Sequence, residues 1–169
     1  MAIFSRLVFA LVNSRARRGL AEEAPEDSAK LAARRTGVRG ETFAYWYLRR
    51  HGYVIVSRNF TVPGVKGEID LAAYDGKTLA FVEVKTRVMD SKRGAKGAPR
   101  EPLPEDAMTP AKRHSLVRMA KQFMLEWRVP ENNCRFDLLA IESRPGARPV
   151  VRLHKNCFGI SGKSSPYSR

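Results

Sequence analysis

Two cysteines, Cys134 and Cys157, are all the thiol this chain carries, and each stands alone in its neighbourhood. That excludes a disulfide framework and a CxxC metal knuckle, and it fits a reducing, cytoplasmic setting. Three histidines, His51, His114 and His154, lie far apart with no HxxxH or HExxH spacing, which argues against zinc. Long apolar runs are missing as well. Leu7 to Val12 is the longest in the N-terminal stretch, too short to span a bilayer or to form a signal core, and its densest basic cluster follows it. No transmembrane segment is expected, and no internal repeat is visible. The scarcest commodity is negative charge: 17 acids stand against 31 basic residues, for a formal net charge of +14. A domain that basic is built to meet a polyanion, and nucleic acid is the first candidate.

What is present reads as one folded domain. The 169 residues suffice for a single core, and a hydrophobic fraction of 43% excludes wholesale disorder. Residues 1–35 read as an extension and linker. Ile3, Phe4, Leu7, Val8 and Leu11 recur at helical spacing, and the stretch from Gly19 to Arg35 has no strong apolar stripe. From Thr36 a helix is expected to about Arg50, with Phe43, Ala44, Tyr47 and Leu48 on one face and Gly52 closing it. Tyr53 to Phe60 reads as a strand. A charged loop rich in proline and glycine runs from about Val88 to Met108, and Thr109-Pro110 caps a second helix to Trp127 or Arg128. That helix is expected to bury Leu116, Ala120, Phe123 and Met124, with Trp127 at its margin. Phe136 to Ile141 and Val150 to Leu153 are two more strands around a Pro145-Gly146 turn, and residues 161–169 form a flexible tail. The order α-β-β-β-α-β-β predicts an α/β sandwich on a mixed sheet, with a domain over 36–160.

The chemistry concentrates in GEIDLAAYDGKTLAFVEVKTR, Gly67 to Arg87. Asp75-Gly76 between two apolar runs predicts a hairpin with a two-residue type I′ turn. That turn sets Tyr74 opposite Lys77, Asp70 opposite Phe81 and Glu68 opposite Glu83. Glu68, Asp70, Glu83 and Lys85 then share one face, with Ile69, Leu71, Val82 and Val84 on the other. Like charges facing one another on a half-buried sheet repel, so something must neutralise them. Lys85 supplies one positive charge. A hard divalent cation would supply the rest, since Mg²⁺ takes one or two carboxylates, waters and a substrate phosphate. Such an ion would polarise a phosphodiester and activate water, with Lys85 orienting or helping to deprotonate it. The alternative is a charged strand face that discourages aggregation.

Asp70 followed by Glu83-x-Lys85 on the next strand resembles the PD-(D/E)XK signature of the restriction-endonuclease-like superfamily. The resemblance is closer still to the YraN-like family of predicted endonucleases, relatives of Holliday-junction resolvases. It covers roughly Val38 to Phe158. The matching pieces are Gly40-Glu41 with Ala44, Gly52-Tyr53, Arg58-Asn59, GEIDL, FVEVKTR, TPAKR (Thr109 to Arg113) and RFD (Arg135 to Asp137). It implies Asp70 and Glu83 as ligands of Mg²⁺ or Mn²⁺, Lys85 as the catalytic lysine, and Glu41 as the helix carboxylate completing the site. The implied activity is endonucleolytic hydrolysis of DNA, with branched DNA a candidate substrate; a non-catalytic nucleic-acid-binding module on the same fold is the competing reading. Phosphate contacts are expected from Arg87, Lys92, Arg93, Lys96, Lys112 and Arg113, and homodimerisation is left open. The first 35 residues lie outside the match, and the loop from Val88 to Arg100 is longer and more basic than the pattern.

Overall fold

The computed structural model describes residues 8–10, 12–13, 29–89, 108–144 and 146–160. Helix α1 (Ala29–Arg50) leads into strands β1 (Val54–Val62), β2 (Val65–Asp75) and β3 (Thr78–Val88). Helix α2 (Pro110–Trp127) and a 3₁₀ turn (Glu131–Asn133) precede β4 (Cys134–Ser143) and β5 (Val150–Phe158). The strands form one sheet in chain order. Every neighbouring pair is antiparallel except β3 and β4, which run parallel from Leu79↔Cys134 to Val88↔Ser143. The helix-bearing crossover between β3 and β4 is what makes that parallel pair possible. The mixed α/β sheet between helices has the expected restriction-endonuclease-like architecture.

A helix covers each face, and each seals its own core. Phe43, Ala44 and Leu48 of α1 pack on Leu71, Ala73, Val82, Leu139 and Ile141. On the other face Leu116, Met119, Ala120 and Phe123 of α2 pack on Phe81, Phe136, Leu138 and Phe158. Strands buried on both faces carry apolar residues at nearly every position, which is why the runs in β3 and β4 barely alternate. The α2 start is built as its residues dictate: Thr109 Oγ1 accepts the Lys112 N–H at 3.3 Å, with proline in the first turn. Trp127 stays 53% exposed while stacking on Phe123, so the buried stripe ends at Met124.

Four local expectations need correction. Helix α1 begins at Ala29, not Thr36, so part of the supposed linker is helical. Phe9, which lies outside the apolar stripe read from the sequence, is 6% exposed. Its ring sits 5.4 Å from Phe43 and 6.0 Å from Tyr47, under the Arg50 guanidinium. Helical spacing pointed to this segment without including Phe9. Of that stripe, Val8 is half-buried, while Ile3, Phe4, Leu7 and Leu11 lie outside the described residues, as does the tail 161–169. The hairpin turn is Gly76-Lys77, since Asp75 pairs with Thr78. Only Gly76, at φ 61°, is left-handed there, which a turn with glycine first satisfies and type I′ does not. Fourth, Ile69 joins the α2-side core whereas Leu71 joins the α1-side core. No helix among the described residues is long and apolar enough to cross a membrane.

Candidate functional site

The corrected turn moves the hairpin register by two residues, which preserves the faces and changes the partners. Regular pairing ends at Leu71↔Val82, leaving Asp70 level with Glu83 instead of Phe81. Strand β2 changes face between Ile69 and Leu71, so Asp70 sits at the crossover point. On β1 the pairs Arg58↔Leu71 and Phe60↔Ile69 bracket Asn59, whose φ is 51°. A left-handed asparagine is tolerated where the chain must kink. Beside this kink the Asp70 carboxylate faces β3, where Oδ2 accepts the Val84 N–H at 2.7 Å. A side chain thus takes an amide that the β2–β3 ladder no longer uses.

Glu83 is the most buried member, 2% exposed against 7% for Asp70. Its Oε1 stands 2.6 Å from Lys85 Nζ, two residues along the same face of β3. Oε2 stands 3.0 Å from Lys112 Nζ, in the first turn of α2. That second contact is an ion pair without hydrogen-bond geometry, and Oε2 has no hydrogen-bond partner. A buried carboxylate oxygen with an open lone pair is costly unless something takes it. Asp70 shows the same tension electrostatically. Burial first, and then the charge of Glu83, push its carboxyl up to about 7, against the pull of the Val84 amide and Lys112; Glu41 adds to the rise.

Two glycines bring the helices close enough to take part. At Gly40 a Cβ would lie 1.8 Å from Thr86 Oγ1, so only glycine lets α1 pass so near β3. The next residue, Glu41, is thereby delivered to the edge of the site, where Asn59 Nδ2 donates to its Oε2 at 3.1 Å. Gly67, at φ 121°, would place a Cβ 2.4 Å from Ser115 Oγ, and that hydroxyl donates to Lys66 O at 2.8 Å. This tie fixes the first turns of α2 against β2 and holds Lys112 over Glu83.

Asp70, Glu83, Lys85, Lys112 and Glu41 therefore converge. Glu68 does not join the buried pair, because its side chain is exposed. Arg113 turns away: its Nε donates to Met108 O at 3.2 Å and its guanidinium lies 5.8 Å from the Phe158 ring centroid. That contact anchors the start of α2. Arg87 lies half-buried further along β3, in register with Glu142. Lys92, Arg93 and Lys96 fall outside the described residues. Asn59 and Ser115 went unassigned from sequence. The signals for the first were its place in the Arg58-Asn59 piece of the family pattern and asparagine's ease in left-handed backbone; Ser115 offered none.

Among the described residues no three His, Cys, Asp or Glu side chains form a ready-made metal cage. Two buried carboxylates, one oxygen of them unsatisfied, instead suit a hard cation that keeps waters and shares a substrate phosphate. The donor set fits Mg²⁺ or Mn²⁺ and lacks the nitrogen and sulfur ligands that zinc prefers.

Residues 40–141 match the model of the uncharacterised protein family UPF0102. A UPF0102 protein of Koribacter versatilis is 37% identical over 131 residues, spanning 76% of this chain and 82% of the relative. One from Symbiobacterium thermophilum is 40% identical over 126 residues, 75% of this chain and 98% of the relative. A third, from Geobacter sulfurreducens, is 38% identical over 125 residues, 74% of this chain and 89% of the relative.

Proposed function

This chain belongs to the uncharacterised protein family UPF0102, the YraN endonuclease-like group, and from that premise we propose that it is a Mg²⁺-dependent endonuclease hydrolysing phosphodiester bonds in DNA. The observation that carries the reading is the Asp70–Glu83 pair. Two facing carboxylates are buried at the end of a hairpin, and Glu83 Oε2 is left without a hydrogen bond. A sheet stabilised for its own sake would not retain that arrangement, whereas a cation site requires it.

Asp70 and Glu83 would hold the ion, which when bound polarises the phosphodiester and lowers the pKa of water. The chain's own groups do the positioning. Lys85 Nζ, fixed on Glu83 Oε1, orients the attacking water against the phosphorus and steers its proton toward solvent. The water oxygen bonds to phosphorus as the bond to the leaving sugar oxygen breaks, and that oxygen takes up a proton. Lys112 offers its ammonium to the phosphate oxygens on which negative charge accumulates. Asn59 holds Glu41 at the rim, where its carboxylate would help to hold the ion.

The test is magnesium-dependent cleavage of a panel of labelled linear, branched and single-stranded DNAs and RNAs. Lys85→Ala is expected to bind DNA as the parent does and to lose cleavage by about 10²-fold or more, the scale of a proton-transfer or positioning group. Normal cleavage by that variant at saturating DNA would remove the enzyme reading and leave a binding module on the same fold.

A further inference from the structure

Helix α1 carries a second charged arrangement that runs outward from the site. Glu41, Tyr45 and Arg49 fall at every fourth position, so they share one helix face. The Tyr45 hydroxyl accepts a hydrogen bond from Arg49 Nη1 at 2.8 Å. The Arg49 guanidinium carbon lies 5.6 Å from the ring centroids of both Tyr45 and Trp46. From edge strand β1, Arg58 places its own guanidinium carbon 5.0 Å from the same Tyr45 ring. Trp46 packs edge-on to Tyr45 at 5.0 Å and completes the rack.

Two guanidinium groups are therefore gathered around one phenol ring. Among the described residues neither forms an ion pair with a carboxylate. Gathering like charges costs free energy, which the ring faces offset only in part. An aromatic platform holds a guanidinium by its plane and leaves its N–H edge free for a planar or tetrahedral oxyanion. The rack is also continuous with the site: Arg58 precedes Asn59, and Asn59 holds Glu41. Eight residues from Glu41 to Arg49 span about 12 Å of helix axis, so the two arginines meet phosphates beyond the one at Asp70 and Glu83.

We propose that Arg49 and Arg58, racked on Tyr45 and Trp46, form a phosphate-binding track that guides the DNA strand away from the Asp70–Glu83 site along the α1–β1 edge. The placement rests on the nuclease reading, because that reading puts the scissile phosphate at one end of the track. Single-strand phosphates fit it well, since the track is a line of two cations on one helix–strand seam and offers no insertion into a duplex groove.

The test is equilibrium binding of the full chain to a labelled single-stranded DNA in EDTA, measured across a salt series. An Arg49→Gln/Arg58→Gln double variant is compared with Lys77→Gln/Lys121→Gln, which removes the same charge from the hairpin turn and α2. Removing one cation that neutralises a phosphate lowers the slope of log affinity against log salt by about 0.7 for single strands. For the racked pair the slope is expected to fall by about 1.4, and the affinity in 0.1 M salt by roughly 25-fold, while the control pair keeps the parent slope. Tyr45→Phe retains the ring and removes the Arg49 anchor, so it should fall between parent and double variant. Equal slopes for the two double variants, or a weakening seen with RNA and not with DNA, would overturn the track. Without divalent ion no cleavage enters the readout, so a chain that never cuts DNA can still pass, and an active nuclease can still fail.

Discussion

Among the described residues two clusters of charged side chains gather around buried carboxylates, and they are built on different principles. Around Asp137 everything is answered. Arg135 Nε lies 2.9 Å from Asp137 Oδ1, Arg135 Nη2 bonds Asp75 Oδ2 at 2.6 Å and Tyr53 Oη at 3.1 Å, and the Asn156 N–H donates to Asp137 Oδ1 at 2.8 Å. Lys155 Nζ adds a contact to Asp75 Oδ2 at 2.8 Å. Two acids meet two bases, and hydrogen bonds from Lys155 and Arg135 hold the Asp75 carboxyl down at about 2. Around Asp70 two acids also meet two bases, but Lys85 and Lys112 both pair with Glu83; Glu83 Oε2 has no hydrogen bond, and burial and the facing carboxylate push the Asp70 carboxyl up to about 7. The first cluster ties Tyr53 and the end of β2 to β4 and β5. The second stores repulsion, which a structural role does not need and a cation site does. The RFD segment of the sequence pattern thus has the contacts of a strut, and the GEIDL and EVK segments carry the candidate site.

The contrast can be broken by treating the two clusters alike. Arg135→Met leaves Asp137, 1% exposed, buried without its cation. The expected loss is about 3–5 kcal/mol of stability, read as a drop in the urea midpoint, with divalent-ion binding retained in protein that remains folded. A loss below about 1 kcal/mol would make this cluster as dispensable as a surface pair.

Asp70→Asn should do the reverse. Because the folded pKa lies above the unfolded value, protonated Asp70 stabilises the fold fully below about pH 4, and that contribution is lost as pH rises through about 7. Asparagine cannot ionise, so the variant should match the parent near pH 4 and exceed it by on the order of 1–2 kcal/mol at pH 8. Asp75 has the opposite sign, its contribution being present above about pH 4 and lost as pH falls through about 2. Thermal melts across pH in chelator separate the two. A variant equally destabilised at every pH would place Asp70 among the struts.

The smallest effect concerns Lys112. Its ammonium sits on the oxygen that the ion would need, so Lys112→Gln should tighten Mg²⁺ binding by about fivefold, on the order of 1 kcal/mol for a pair whose lysine is partly exposed and whose carboxylate is buried. Weaker binding would mean that Lys112 helps to shape the site instead of competing for it.

Much of this was legible in the sequence, and the reasons are specific. The shared face of Asp70, Glu83 and Lys85 was readable because a two-residue register shift leaves alternation intact, whereas Glu68 lies beyond the face change in β2 and stays exposed. The α2 start was legible from Thr109-Pro110. What escaped depended on contacts distant in sequence. Phe9 is core only because Phe43 and Tyr47 offer it a surface, and the stripe at helical spacing pointed elsewhere. The face change at Asp70 lies beside left-handed Asn59 on the neighbouring strand, and the need for glycine at positions 40 and 67 comes from Thr86 and Ser115. Arg113 next to Lys112 looked like its equal for phosphate contact, yet the step of roughly 100° between consecutive helical residues sends it to Met108 and Phe158.

The most direct measurement is calorimetric titration of Mg²⁺, in chelator-free buffer at pH 8, into the parent and into Asp70→Asn. The expected result is saturable binding to the parent, strengthening as pH rises through about 7 because the ion competes with the Asp70 proton, and no binding to the variant, with both proteins folded by near-UV circular dichroism. Equal Mg²⁺ affinity in the two proteins, or no binding to the parent, would contradict the claim that the Asp70–Glu83 pair is a cation site.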